Sequence, residues 1–234
     1  MLKPVKQRKI SDQIYEQIRD MIYRGEFRPG EKLMPERDMA SFFQVGRPTV
    51  RNAIQKLIDN DLIISKRGVG TFVLDEKSRR EKKPLLEILN DEDFTITEFQ
   101  EIRMALEVKS AELAAMRATE EDILLIKQSL DRMLEEKAAG LTQMSSDISF
   151  HMNIAYAGKN IVLIQLMKSF YDVQYTVMDL AYNELFQSLG IGDTIDNQHK
   201  KISDAISNRN PALAQSAMEE HIGTVLACCR KTGL

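Results

Sequence analysis

The sequence predicts a mainly α protein: an N-terminal winged helix-turn-helix (α with a small β-hairpin) followed by a C-terminal all-α helical bundle of six or seven helices. Three observations predict it. Apolar residues recur at helical period through most of the chain. Strand-like runs are confined to two short stretches near residues 62–74. Charge is also divided, with 19 Lys+Arg against 12 Asp+Glu in residues 1–83 and 13 against 23 in residues 84–234. A basic front and an acidic rear indicate that only the front meets polyanions.

The 234 residues suit a DNA-binding domain at 1–74, a linker at 75–83 and an effector domain at 84–234. A hydrophobic share of 43% and a charged share of 29% read as an ordinary soluble globular protein. The most apolar stretch, Ile161 to Met167, is broken by Gln165 and too short to span a bilayer, so no membrane partner is expected. Met1-Leu2-Lys3-Pro4 has no apolar signal core. Cys228 and Cys229 are the only cysteines and are adjacent, which fits reduced thiols and a cytoplasmic protein.

In chain order, Ser11 is a candidate N-cap for a helix to about Arg24, with Ile14, Ile18 and Ile22 inward and Gly25 as its stop. Phe27-Arg28-Pro29-Gly30 forms a turn. A short helix follows at about 35–43, with Met39, Ala40 and Phe43 inward. Gln44-Val45-Gly46 turns into a second helix in which Val50, Ala53, Ile54, Leu57 and Ile58 share one stripe. Arg47, Arg51 and Gln55 form the opposite stripe, and Pro48 sits where a first turn tolerates it. Arg and Gln reach base edges in a major groove, so this is a candidate recognition helix. Two strand-like runs, 62–65 and 71–74, flank Lys66-Arg67-Gly68-Val69-Gly70. A basic hairpin tip directly after a helix-turn-helix reads as a wing, with Lys66 and Arg67 facing phosphate or the minor groove and the glycines allowing close approach.

From Pro84 on, the periodic segments read as helices at about 84–90, 96–117, 119–138, 142–157, 160–188, 193–208 and 211–231. Thr119 caps a start rich in acids, and Ile123, Ile126, Leu130, Met133 and Leu134 form one stripe toward a core. All three histidines of the chain, His151, His199 and His221, lie in this region on different helices. Asp147 precedes His151 by one turn and shares its face. An antiparallel bundle can bring the three imidazoles together. An Asp oxygen with three imidazoles suits Zn²⁺, Ni²⁺ or another first-row divalent ion. Such an ion keeps a net positive charge and attracts an anion. Arg103 is the cation expected beside the pocket, because guanidinium clamps carboxylate with two bonds; the spacing to Glu107 equally fits a surface pair.

These residues resemble the GntR family of bacterial transcription regulators. Pro29-Gly30-Glu31-Lys32-Leu33-Met34-Pro35-Glu36-Arg37-Asp38-Met39-Ala40 resembles the segment that leads into the family's helix-turn-helix. Val45-Gly46-Arg47-Pro48-Thr49-Val50-Arg51-Asn52-Ala53-Ile54 resembles its recognition helix, and Gly68 to Val73 its wing. Met34 departs from the more usual Pro or Ser, and Gly46 from the common Ser, which leaves Gly46 a backbone role. The rear half resembles the FCD ligand-binding domain of the FadR-like branch, through Arg103 to Ala115, Asp147 with Phe150-His151, His199 with Ile202, and Ala214 to His221. The resemblance implies a divalent metal on Asp147, His151, His199 and His221, zinc first with nickel or manganese as alternatives, and a small organic acid held by metal and Arg103. Acyl-CoA-sensing members lack this metal set, so a different ligand is implied. The resemblance implies DNA contact by Arg37, Arg47, Arg51 and the wing tip near Gly68, and with Thr49, Lys66 and Arg67 these make the expected DNA-binding set.

The expected protein is a homodimeric, metabolite-responsive repressor rather than an enzyme. It reads double-stranded operator DNA of two-fold symmetry and responds to a small carboxylate effector. The alternatives are a metal-dependent hydrolase, against which no general base or nucleophile stands out beside the ligands, and a regulator that senses the metal ion itself.

Overall fold

The computed structural model describes residues 9–74, 95–178 and 190–232, with side chains of 172–178 and 231–232 excluded. The chain divides into two compact units, Met1–Lys82 and Lys83–Leu234. It is mainly α, with one small antiparallel sheet among the described residues.

The first unit contains α1 (Ile10–Tyr23), α2 (Glu36–Phe42), α3 (Arg47–Asp59), β1 (Ile63–Lys66) and β2 (Gly70–Val73). The period-matched residues Ile14, Ile18 and Ile22 of α1 pack with Val50, Ala53, Ile54 and Leu57 of α3. Burying such side chains stabilises by about 1.5–3 kcal/mol each and holds α3 against its neighbours. Met39 and Ala40 close the core from α2, while Phe43 and Ile58 are only half-buried. Ser11 is not the cap of α1. Lys9 holds that position without a side-chain bond, and Ser11 lies buried in the first turn.

The hairpin register pairs Ile63 with Val73 and Lys66 with Gly70. The strands start one residue away from the expected 62–65 and 71–74: Leu62 donates to Leu57 of α3 while its carbonyl accepts from Leu74, and Gly70 already pairs with Lys66. A third segment joins them. Gly30 and Leu33 donate to Val73 and Thr71, Val73 donates back to Glu31, and Lys32 bridges Phe72. The hairpin is thereby tied to the segment before α2.

The second unit contains α4 (Ile96–Arg117), α5 (Glu120–Ala138), α6 (Met144–Ala157), α7 (Ile161–Met178), α8 (Gly192–Ser207) and α9 (Pro211–Thr232). Capping boxes start α4 at Thr95 with Glu98 and α5 at Thr119 with Asp122, fixing where each helix begins. Ala111, Ala114 and Ala115 let α4 pack closely in a core with Ile126 and Met133 of α5, Ile202 and Ile206 of α8, and Met218 and Ile222 of α9. Helix α6 is buried on every side from Ser146 to Ala157. A helix surrounded in this way carries whatever polar residues it has into the core. The expected helix at 84–90 and the last part of the one at 160–188 lie outside the described residues.

Candidate functional site

Helix α6 places Asp147 and His151 one turn apart at the centre of the bundle, where α8 supplies His199 and α9 supplies His221. One ring nitrogen from each histidine lies within 4.8 Å of the others. Asp147 Oδ1 is 3.3 Å from His199 Nε2 and 3.7 Å from His151 Nε2. All four residues are at most 2% exposed. Neither ring nitrogen of His199 or His221 has an aligned hydrogen-bond partner. A buried imidazole without partners is costly and calls for one.

Arg103 on α4 is also in this core, 1% exposed, rather than on the surface as a local pair would be. Its Nε donates to Glu107 Oε1 at 2.6 Å and its Nη2 lies 3.1 Å from His151 Nε2 and 3.9 Å from Asp147 Oδ2. Glu107 gathers three groups. Tyr171 of α7 donates to its Oε1 at 2.5 Å, and His151 Nδ1 stands 2.5 Å from its Oε2, at ion-pair distance without hydrogen-bond alignment. Sequence reasoning misses Tyr171 entirely, and it reads Glu107 only as a local partner of Arg103.

The electrostatics follow from burial and neighbours. Burial alone would push the Glu107 carboxyl up, but Arg103 and His151 outweigh it and lower its pKa to about 2. Asp147 is likewise held well below the usual range by His151 and His199 against the effect of burial. Burial opposes charge on His151, yet Glu107 and Asp147 raise its pKa. Burial lowers His199, only partly offset by Asp147. Burial with His199, His151 and Arg103 as neighbours lowers His221 well below its ordinary value. His199 and His221 therefore stay neutral at neutral pH, the form that lends a lone pair to a metal. Burial would weaken the Arg103 charge, but Glu107, Tyr171 and Asp147 raise its pKa. The cluster is one cation, two carboxylates and three imidazoles, with a histidine group that could hold a metal ion.

In the first unit, Arg47 opens α3 and is exposed, as are Arg51 and Gln55 further along it. Arg51 reaches Glu36 Oε2 at 3.3 Å, and Gln55 is turned to Asp59 Oδ1 at 2.8 Å. Arg37 on α2 is 84% exposed, with its Nε 3.7 Å from Asp38. Thr49 is half-buried in the first turn of α3. Lys66 ends β1 and is exposed, and Arg67 and Gly68 lie in the exposed tip that follows, where Gly68 takes a φ of 74° in open space. Through Glu36, the structure brings Arg37 and Arg51 onto neighbouring ground. Exposed pairs such as Arg51–Glu36 are worth about 0–1 kcal/mol, so Arg51 can exchange its partner for a phosphate or base.

Comparisons with known proteins agree with both units. The family of bacterial regulatory proteins, gntR family, matches residues 10–73, and the FCD domain matches residues 98–224. The Uxu operon transcriptional regulator of Escherichia coli strain K12 is 32% identical over 218 residues, covering 89% of this chain and 82% of that protein. The HTH-type transcriptional regulator LutR of Bacillus subtilis strain 168 is 31% identical over 206 residues, covering 88% and 94%. The solved structure of Streptococcus agalactiae GntR has 25% identity and a TM-score of 0.54, covering 93% of this chain and 99% of that one. The matched families and relatives are transcription regulators, not enzymes, which sets the hydrolase alternative aside. No helix among the described residues is long and apolar enough to cross a membrane.

Proposed function

The chain belongs to the GntR family of DNA-binding bacterial transcription regulators and carries a ligand-binding FCD domain, and from that premise we propose that it is a homodimeric repressor whose helical unit senses a small carboxylate through a divalent metal. The observation that carries this reading is the convergence of one ring nitrogen from each of three buried histidines within 4.8 Å beside Asp147 and Arg103, with the ring nitrogens of His199 and His221 lacking aligned hydrogen bonds.

Asp147, His151, His199 and His221 would hold the ion, zinc before nickel or manganese. The residues fit: one carboxylate kept ionised, two imidazoles kept neutral, and a third whose Nδ1 faces Glu107 while its Nε2 points into the centre beside Arg103 Nη2 and Asp147. The ion would supply a positive centre for an organic acid. Arg103 supplies the second, and its guanidinium, fixed by Glu107, orients the acid by a two-bond contact. Tyr171 holds Glu107 from the other side.

In the front unit, Arg47 and Arg51 read base edges, while Arg37, Thr49, Lys66, Arg67 and the backbone at Gly68 take the phosphate backbone and groove rim. Two such units in a dimer match an operator of two-fold symmetry in the cytoplasm. The bound acid shifts the dimer between DNA-competent and incompetent arrangements by its differential affinity for the two. Occupying a promoter suffices to repress, with no further contact to the transcription machinery required.

Operator binding measured by fluorescence anisotropy tests this, on metal-free and zinc-loaded protein, with and without a panel of mono- and dicarboxylates. A response to a carboxylate that requires the ion is expected. A response to the ion alone makes the protein a metal sensor, and a carboxylate response that survives in verified metal-free protein removes the metal bridge.

A further inference from the structure

Beside the wing stands a cation outside the residues assigned above, Lys32. The bridge between Lys32 and Phe72 adds the segment before α2 as a third member of the sheet. Register then fixes the faces. Ile63 pairs with Val73, and both are buried together with Leu33 on the core side. Ile64 and Lys66 pair with Phe72 and Gly70, so the side chains of Ile64, Lys66 and Phe72 project from the opposite side, joined by Lys32. On that outer face, the Lys66 ammonium lies 5.3 Å from the centre of the Phe72 ring and the Lys32 ammonium 5.9 Å from the same centre. Both lysines are exposed.

Two ammonium groups drawn to one ring repel each other. The ring's attraction, about 0.5–1 kcal/mol per cation at an exposed site, holds both beside it against a screened repulsion of similar size. An anion shared between them removes the repulsion and adds two charge-assisted bonds. Gly70 is part of the device. A Cβ there would lie 2.6 Å from Lys32 Cε and 3.3 Å from its Nζ, at a φ of 135° that side chains rarely adopt. The bare backbone at Gly70 lets the Lys32 stem lie across the sheet toward Phe72.

We propose that Lys32 and Lys66 form a two-ammonium cradle around Phe72 that takes a DNA backbone phosphate, with Lys32, from outside the hairpin, as a DNA-contacting residue of the wing. The proposal rests on the reading of the wing as part of the DNA face. A phosphate contact carries no sequence information, so Lys32 contributes equally to operator and to unrelated duplex.

The test is the salt dependence of full-length protein binding to operator and to an unrelated duplex, for Lys32→Met and Lys32→Arg. Methionine keeps an unbranched stem against the ring and loses the charge. Each phosphate contact contributes about 0.9 to the slope of log K against log salt. Lys32→Met is expected to reduce the slope by about that amount, and to weaken binding to both duplexes by about five- to tenfold at 0.1 M salt, while Lys32→Arg keeps the slope. An unchanged slope for Lys32→Met overturns the cradle, and so does a loss confined to the operator. Arg47→Ala, run alongside, separates the two levels. If it too leaves binding intact, the DNA face itself is wrong; if it weakens binding while Lys32→Met does not, only the cradle fails.

Discussion

In the N-terminal unit the arginines proposed to meet DNA stand outside an apolar core made of Ile14, Ile18, Val50, Leu57 and their neighbours. In the C-terminal unit, Arg103, Glu107, Asp147 and the three histidines stand inside the core, beside Phe150 and the apolar faces of α8 and α9. The same type of interaction, an Arg–Glu pair, occurs in both. Arg51 and Glu36 are 65% and 30% exposed at 3.3 Å, whereas Arg103 and Glu107 are each 1% exposed at 2.6 Å. The difference separates two design constraints. A residue that works on the surface can change without disturbing the fold. A residue that works in the core is held by the fold and holds it in turn, because its charge has no water to return to.

The largest expected effect comes from breaking the buried pair. Glu107→Ala leaves the Arg103 guanidinium without its nearest carboxylate and removes the acceptor of Tyr171 and the neighbour of His151. Removing one partner of a buried pair costs about 3–5 kcal/mol. Urea denaturation followed by circular dichroism, with hydrogen exchange assigning the loss to residues 95–232, measures it. A cost under about 1 kcal/mol would mean that water or a rearranged partner reaches Arg103, and the contrast between the units would collapse.

The middle effect belongs to the exposed face. Arg47→Ala is expected to weaken operator binding by about 1–3 kcal/mol if its contact is to a base. Stability should stay within about 0.5 kcal/mol, since the side chain is exposed and away from the core. Loss of binding that tracks loss of folding would show that function and fold are not separable in the front unit either.

The same contrast governs how much of each unit is legible in the sequence. The helices of the front unit follow from apolar spacing, because a surface helix shows its buried stripe against a polar background. Helix α6 is expected among the periodic segments, but because it is buried on every side its spacing singles out no inward face; what marks its part in the site is chemistry, an Asp and a His one turn apart in a chain with three histidines. The structure does bring Asp147, His151, His199, His221 and Arg103 together. Glu107 and Tyr171 stay hidden for physical reasons. A glutamate four residues after an arginine is the pattern of a solvated pair, and a tyrosine in an apolar run is the pattern of ordinary core. Only the packing of α4 against α6 and α7 reveals their part in the cluster. The contact of Lys32 with β2 is invisible for a different reason: a single bridge is too short to leave a period-two signature.

The smallest effect is the one that sharpens the comparison most. Glu36→Gln removes the charge from the exposed pair as Glu107→Ala breaks the buried one. Glu36 sits at the first residue of α2, where a carboxylate gains about 0.3–1 kcal/mol from the helix N-terminus, and the pair with Arg51 adds about 0–1 kcal/mol. Folding stability should therefore fall by about 0.3–2 kcal/mol, less than the cost of Glu107→Ala. Operator binding should hold or tighten slightly, because Arg51 no longer has to leave a carboxylate before it meets DNA. The readout is the pair of numbers, unfolding midpoint and operator affinity, on the same preparation. If Glu36→Gln weakens binding at unchanged stability, then Glu36 positions Arg51 rather than merely competing for it. The exposed pair would then be preorganised for recognition in the way Glu107 fixes Arg103, and burial would no longer be the variable that separates the two units.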